Sequence, residues 1–84
     1  MKHHALPEFW ACYNVLPEHV RELADKNFEL LKTDNDHPSL RFKQVGILWS
    51  ARVGLHYRTL ARRRGDDVHW FWIGPHSEYD KFLH

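Results

Sequence analysis

The stretch W-S-A-R-V-G-L-H-Y-R-T-L (residues 49–60), then a basic turn, then V-H-W-F-W-I-G-P-H-S-E-Y (residues 68–79) decides how this chain folds. It holds consecutive strand signals punctuated by turn formers. Ile47 to Val53 reads as one strand, closed by Gly54. His56 to about Arg62 reads as the next. Arg-Gly-Asp-Asp, from Arg64 to Asp67, supplies a hairpin turn in which Gly65 is free to take a positive φ. Val68 to Ile73 is the most apolar strand, ended by Gly74-Pro75. These strands carry Arg52, His56 and Arg58, and His76 follows the last of them. A sheet showing cationic and titratable side chains on one face can bind a phosphodiester and carry out acid–base chemistry on it.

Upstream, Leu40 to Val45 alternates apolar and basic residues and reads as a further strand. The segment T-D-N-D-H-P-S, Thr33 to Ser39, is a loop dense in turn formers. Before it lie two helical signals. Phe9, Cys12, Tyr13 and Leu16 recur at three- to four-residue spacing, predicting a short helix from about Pro7 to Val15. Pro17 breaks that pattern and suits the start of a second helix, which runs to about Lys32. Its buried stripe is Val20, Leu23, Ala24, Phe28 and Leu31. Glu18 favours the positive end of the helix dipole. The residues before Pro7 look too short for a full strand, and His3 and His4 receive no role. Ser77 to Leu83 predicts a short closing helix, with Tyr79, Phe82 and Leu83 turned inward. Trp70 and Trp72 share strand parity, which places both in the core.

The order α-α-β-β-β-β-α with short turns predicts an α+β fold: an N-terminal helical hairpin packed on one face of a small twisted antiparallel sheet, with a short C-terminal helix. The other face is left as a working surface. The 84 residues fit a single domain spanning 1–84. Twelve aromatic residues supply much of the core. One cysteine, Cys12, excludes an internal disulfide framework and points to a reducing cytoplasm. Trp70 to Ile73 is the densest apolar run and is only strand-length, so neither a signal peptide nor a membrane partner is expected.

Net charge is +1 with histidines neutral, which excludes a strongly basic tail that coats nucleic acid. Distribution is more telling. Acids crowd the first half: Glu8, Glu18, Glu22, Asp25, Glu29, Asp34 and Asp36. From Arg41 to Arg64 there are seven cations and no acid. RNA cleavage through the 2′-hydroxyl needs no metal: a base takes the hydroxyl proton, a cation steadies the phosphorane, and an acid protonates the leaving 5′-oxygen. Histidine suits the proton transfers, arginine the phosphate, and tyrosine can hydrogen-bond a phosphate or stack on a base. Arg62, Arg63 and Arg64 read as a solvated hairpin edge. The eight histidines include no H-x-x-x-H pair, and no Cys-x-x-Cys occurs, so no metal and no other cofactor is expected.

Four segments together resemble the RelE/ParE superfamily of type II toxin–antitoxin toxins, in particular its compact RelE-like, cytotoxic translational repressor branch. They are F-W-A-C-Y-N-V-L-P-E (9–18), H-P-S-L-R-F-K (37–43), W-S-A-R-V-G-L-H-Y-R (49–58) and W-F-W-I-G-P-H-S-E-Y-D-K (70–81). The resemblance covers most of the chain, in the family's order. It implies a metal-independent endoribonuclease that cuts mRNA in the ribosomal A site and inhibits translation, held in check by a cognate antitoxin protein. Carried over by position, the catalytic residues are Arg58, the phosphate or transition-state ligand, His76, the acid or base, and Tyr79, the aromatic a few positions on. Lys43, Arg52 and His56 would bind RNA phosphates. Two alternatives stay open: a ParE-like toxin that binds DNA gyrase, and a catalytically inactive RelE-like interaction domain.

Overall fold

The computed structural model describes residues 1–83. It has α+β architecture, with a five-stranded sheet in the order β1-β5-β4-β3-β2. The strands are β1 (Lys2–Ala5), β2 (Lys43–Val45), β3 (Leu48–Val53), β4 (Tyr57–Arg64) and β5 (Asp67–Pro75). Helices α1 (Pro7–Tyr13) and α2 (Glu18–Thr33) connect β1 to the rest, through a 3₁₀ turn at Pro38–Leu40. Helix α3 (His76–Tyr79) and a 3₁₀ turn at Asp80–Leu83 follow β5. None of these helices is long and apolar enough to cross a membrane.

The helical hairpin forms where the proline and periodicity signals put it. Pro7 sits in the first turn of α1, where its missing N–H leaves nothing unsatisfied. Pro17 is the residue that caps α2. Phe9, Leu16, Val20, Ala24 and Leu31 are buried against Ala51, Val53, Ala61, Val68, Trp70 and Ile73 of the sheet. Leu23 departs from the expected stripe. It is 37% exposed and lies over the β3–β4 turn at Gly54. At the other hairpin, Arg64 pairs with Asp67 across a two-residue turn in which Gly65 has φ +61°.

Three further features depart from the sequence reading. First, the segment before Pro7 does form a strand: Lys2 to Ala5 pairs in parallel with Asp67 to Trp70, so the sheet is mixed. Four residues suffice because β5 offers a preformed edge and the Trp70 indole N–H donates to His3 Nδ1 at 3.1 Å. Second, Trp70 and Trp72 do not share a face. Ala61 pairs with Trp70 but Leu60 pairs with Trp72, so Phe71 is one residue extra on β5. Such a bulge reverses the alternation. Trp70 enters the main core, whereas Trp72 lies with Leu60 on the opposite side. Third, that opposite side is partly covered. Tyr79 is buried there and donates from its hydroxyl to Ser50 Oγ at 3.4 Å. The Phe82 ring lies 4.9 Å from Trp72. Leu60, fully buried yet outside the main cluster, is the centre of this second small core. Phe82 and Leu83 nonetheless stay 44% and 40% exposed, rather than turned fully inward.

Candidate functional site

The sheet face that bears α3 also bears the cations. Strand alternation and cross-strand register put Lys43, Ser50, Arg52, Arg58 and Leu60 on it together. Lys43 is opposite Ser50, and Arg52 is directly opposite Arg58 in the β3–β4 ladder. Directly opposed residues in such a ladder have Cα atoms only ~4.5–5.5 Å apart, and like charges so placed repel.

Local contacts hold each arginine in place. Arg52 donates from Nε to the carbonyl of Gly54 at 3.0 Å. Its own carbonyl accepts from Asn27 Nδ2 of α2 at 3.0 Å. Arg58 donates from Nη1 to the Tyr57 carbonyl at 3.0 Å, and its guanidinium lies 6.0 Å from the centre of the Tyr79 ring. Burial, then repulsion from Arg52 and more weakly from Arg41, lowers the pKa of Arg58 from its ordinary value, against opposing pulls from Tyr79 and Asp80. No carboxylate is in ion-pair contact with any of the seven cations from Arg41 to Arg64, among the described residues.

The histidines complete one corner of this face. His76 opens α3, and its backbone N–H donates to the His56 carbonyl at 2.8 Å. His56 is therefore in the β3–β4 turn, one residue before the strand it was expected to begin. Both side chains are exposed. The His76 ring is 5.6 Å from that of Tyr79, and its Nδ1 lies 3.6 Å from Asp80 Oδ2, one helical turn along. Arg58, His76 and Tyr79 are thus linked by short contacts, and Arg52 and His56 adjoin them through the ladder and the backbone. Lys43 stands apart on the edge strand, exposed on the same face.

Arg62, which alternation puts on the same face as Arg58 and Leu60, and Arg63, on the other face, lie further along β4 beside the distal hairpin. The Arg62 guanidinium covers the Phe71 ring at 4.1 Å, and that of Arg63 covers Trp49 at 4.9 Å. Arg63 also donates from Nε to the Gly65 carbonyl at 2.9 Å. Three residues at the site were not singled out in the sequence. Asp80 could have been found from its four-residue spacing to His76 in a helix. Arg41 read as an ordinary strand residue of the basic stretch. Ser50 gave no signal, since only the fold brings it beneath Tyr79. No group of three or more metal-binding side chains converges among the described residues.

No protein-family model matches this sequence, and no curated protein matches it. Solved structures do match. The domain has the fold of the RelE/ParE toxins, and its likeness to them runs over nearly the whole chain. A chain of the RelB–RelE antitoxin–toxin complex from Methanococcus jannaschii superposes with a TM-score of 0.75 at 16% identity, covering 96% of this chain and 99% of that one. The YoeB/ParE toxin from Agrobacterium tumefaciens gives 0.68 at 15% identity, over 90% and 99%. The isolated RelE toxin of E. coli gives 0.63 at 13% identity, over 99% and 98%.

Proposed function

We propose that this protein is the toxin of a toxin–antitoxin pair and acts as a metal-independent endoribonuclease on mRNA in the ribosomal A site. The observation that carries the reading is the Arg52–Arg58 pair, opposed across one ladder, unpaired by any carboxylate, and flanked by His76. Two arginines directly opposed across a ladder are unfavourable by themselves. Phosphates of an RNA strand bound along the pair reverse the sign, because each fork then makes charge-assisted hydrogen bonds to phosphate oxygens. RelE-type fold and this cluster together favour a phosphodiester substrate over a purely protein-binding surface.

In this mechanism Arg58 binds the scissile phosphate and steadies the charge that builds on the phosphorane. His76, with Nδ1 turned towards Asp80, presents Nε2 for a proton transfer to or from the reacting oxygens. The 2′-oxygen attacks phosphorus as its proton is removed, and the bond to the 5′-oxygen breaks as that oxygen gains a proton. Arg52, His56 and Lys43 hold the RNA backbone. Tyr79 supports Arg58 and His76 through its ring. The same basic face suits an acidic segment of a cognate antitoxin, which would inhibit by covering it. A reducing cytoplasm, where the ribosome lies, is the compartment this activity requires.

Cleavage of mRNA on programmed ribosomes, mapped by primer extension, tests the reading. Wild-type protein should give discrete cuts in the A-site codon, and Arg58→Ala with His76→Ala should abolish them. Intact mRNA with folded wild-type protein would reject the nuclease mechanism and turn attention to gyrase binding or to a non-enzymatic role.

A further inference from the structure

Arg41 is the only non-glycine residue with a positive φ among the described residues, at φ 46° and ψ 43°. It ends the 3₁₀ turn and leads into β2. Its neighbours are both anchored. Leu40 is fully buried, and the Phe42 ring packs 5.0 Å from Trp49 and 6.0 Å from Trp70. The backbone between these anchors has to make a left-handed step, for which glycine or asparagine is the low-strain choice. A long cation occupies it instead. Strain of this kind persists where the surrounding structure enforces it, and it clusters at functional sites.

The side chain itself is exposed and has no ion-pair partner among the described residues. Carried two residues past the Lys43–Ser50 pair, the β2–β3 register sets position 41 across from Arg52, which is itself directly opposite Arg58, and the Arg41 charge is among those that lower the Arg58 pKa. Three guanidiniums therefore share one surface without a neutralising contact. One phosphodiester offers two free oxygens, which a single arginine fork can bind. A second phosphate of the same strand is what would employ the other two forks.

We propose that Arg41, with Arg52, forms a second phosphate subsite that holds the RNA phosphate next to the one at Arg58. This rests on the ribonuclease reading and extends it to residues that set how the strand lies across the sheet. The left-handed backbone aims the cation, and the buried Leu40 and Phe42 keep that backbone from relaxing.

The test uses the full chain and 2′-O-methyl oligonucleotides, which cannot be cleaved through the 2′-hydroxyl. Binding of a labelled single-stranded hexamer is followed by fluorescence anisotropy from about 50 to 200 mM salt, a range over which phosphate contacts weaken steeply. Arg41→Gly should bind several-fold more weakly, and its slope of log affinity against log salt should be shallower by about 0.7, the value for one lost contact to a single strand. Its melting temperature should equal or exceed that of wild type, since glycine relieves the left-handed strain. Arg41→Lys keeps the charge and should retain the wild-type slope. A dinucleotide with one phosphate, used as a competitor, should show unchanged affinity for Arg41→Gly. Equal weakening with the one-phosphate and the longer probes would overturn the subsite in favour of a diffuse charge effect. Unchanged hexamer affinity and slope in Arg41→Gly would overturn it alone. A folded wild-type protein that fails to bind the hexamer would overturn the subsite, whereas the nuclease reading stands or falls with cleavage on programmed ribosomes.

Discussion

Replacing Tyr79 separates its ring from its hydroxyl. The side chain is 7% exposed and sits on the second small core, with Ser50 beneath its hydroxyl and Arg58 and His76 beside its ring. Tyr79→Ala removes a buried aromatic ring, which costs about 3–5 kcal/mol where the site cannot collapse. A domain of 84 residues has a total stability of roughly 4–13 kcal/mol. The alanine variant is therefore expected to lose a large part of its stability, and with it the placement of α3. Tyr79→Phe removes only the hydroxyl. Its contact with Ser50 is 3.4 Å, long for a hydroxyl pair, so its contribution belongs at the low end, about 0.5 kcal/mol. That corresponds to a fall in melting temperature of roughly 2–4 °C for a domain of this size. The assays are thermal unfolding by circular dichroism and the mRNA cleavage rate at a temperature where each variant is folded. Tyr79→Phe should melt slightly below wild type and cleave within about threefold of it, because a hydroxyl directed into the sheet has no part in the proton transfers. A phenylalanine variant with wild-type stability and a hundredfold slower cleavage would refute this, and would make the hydroxyl a chemical participant.

The other expectations concern the scaffold around the site. Leu60→Ala should destabilise by about 2–5 kcal/mol, since Leu60 is fully buried where the C-terminal segment meets the sheet; a loss below about 1 kcal/mol in urea unfolding would mean that α3 contributes little to that core. Burial, then the N-terminal ammonium and His4, hold the His3 imidazole below its ordinary pKa of 6.5. The unfolded chain then binds the proton more readily, so the stabilising contribution is complete above about pH 6.5 and is lost as pH falls towards the folded value. Protonation at Nδ1 also removes the acceptor for the Trp70 N–H. Unfolding free energy should drop as pH falls below about 6.5 in wild type and less in His3→Gln; parallel curves would refute a role for His3, while the depressed carboxylate of Asp67 acts only at lower pH. Gly65→Ala meets nothing within 4 Å and should cost about 1 kcal/mol for its left-handed backbone alone. Gly54→Ala has the same backbone penalty and places a Cβ 2.7 Å from Leu23 Cδ2, so it should be the more harmful in thermal melts; equal losses would show that Leu23 swings aside freely.

The helical hairpin and the antiparallel strands were legible in the chain because they rest on local rules. Pro7 and Pro17 mark helix starts, a 3.6-residue period marks the faces that bury Phe9, Val20, Ala24 and Leu31, and Gly65 marks a tight turn. Those signals act over a few residues and need no knowledge of what packs opposite. The chemical types at the site were legible for the same reason: arginine and histidine stand out in strands and turns wherever they occur.

What stayed hidden depended on pairing between distant segments. Lys2 to Ala5 is too short to declare itself a strand, and only the open edge of β5 makes it one. The bulge at Phe71 is a mismatch between two strands, so neither strand's own alternation reveals that Trp72 leaves the core. Ser50 and Tyr79 meet because α3 folds back over the sheet, which turned an expected open face into a half-covered one. Arg52 and Arg58 oppose each other through register, and Arg41 takes its left-handed conformation because it lies between two anchored neighbours. Residue types and local periodicity follow from covalent geometry and short-range sterics, so the sequence by itself determined the elements and the chemistry available. Register, bulges and chain reversals depend on contacts between distant parts of the chain, so only the tertiary structure decided which of those residues share a site.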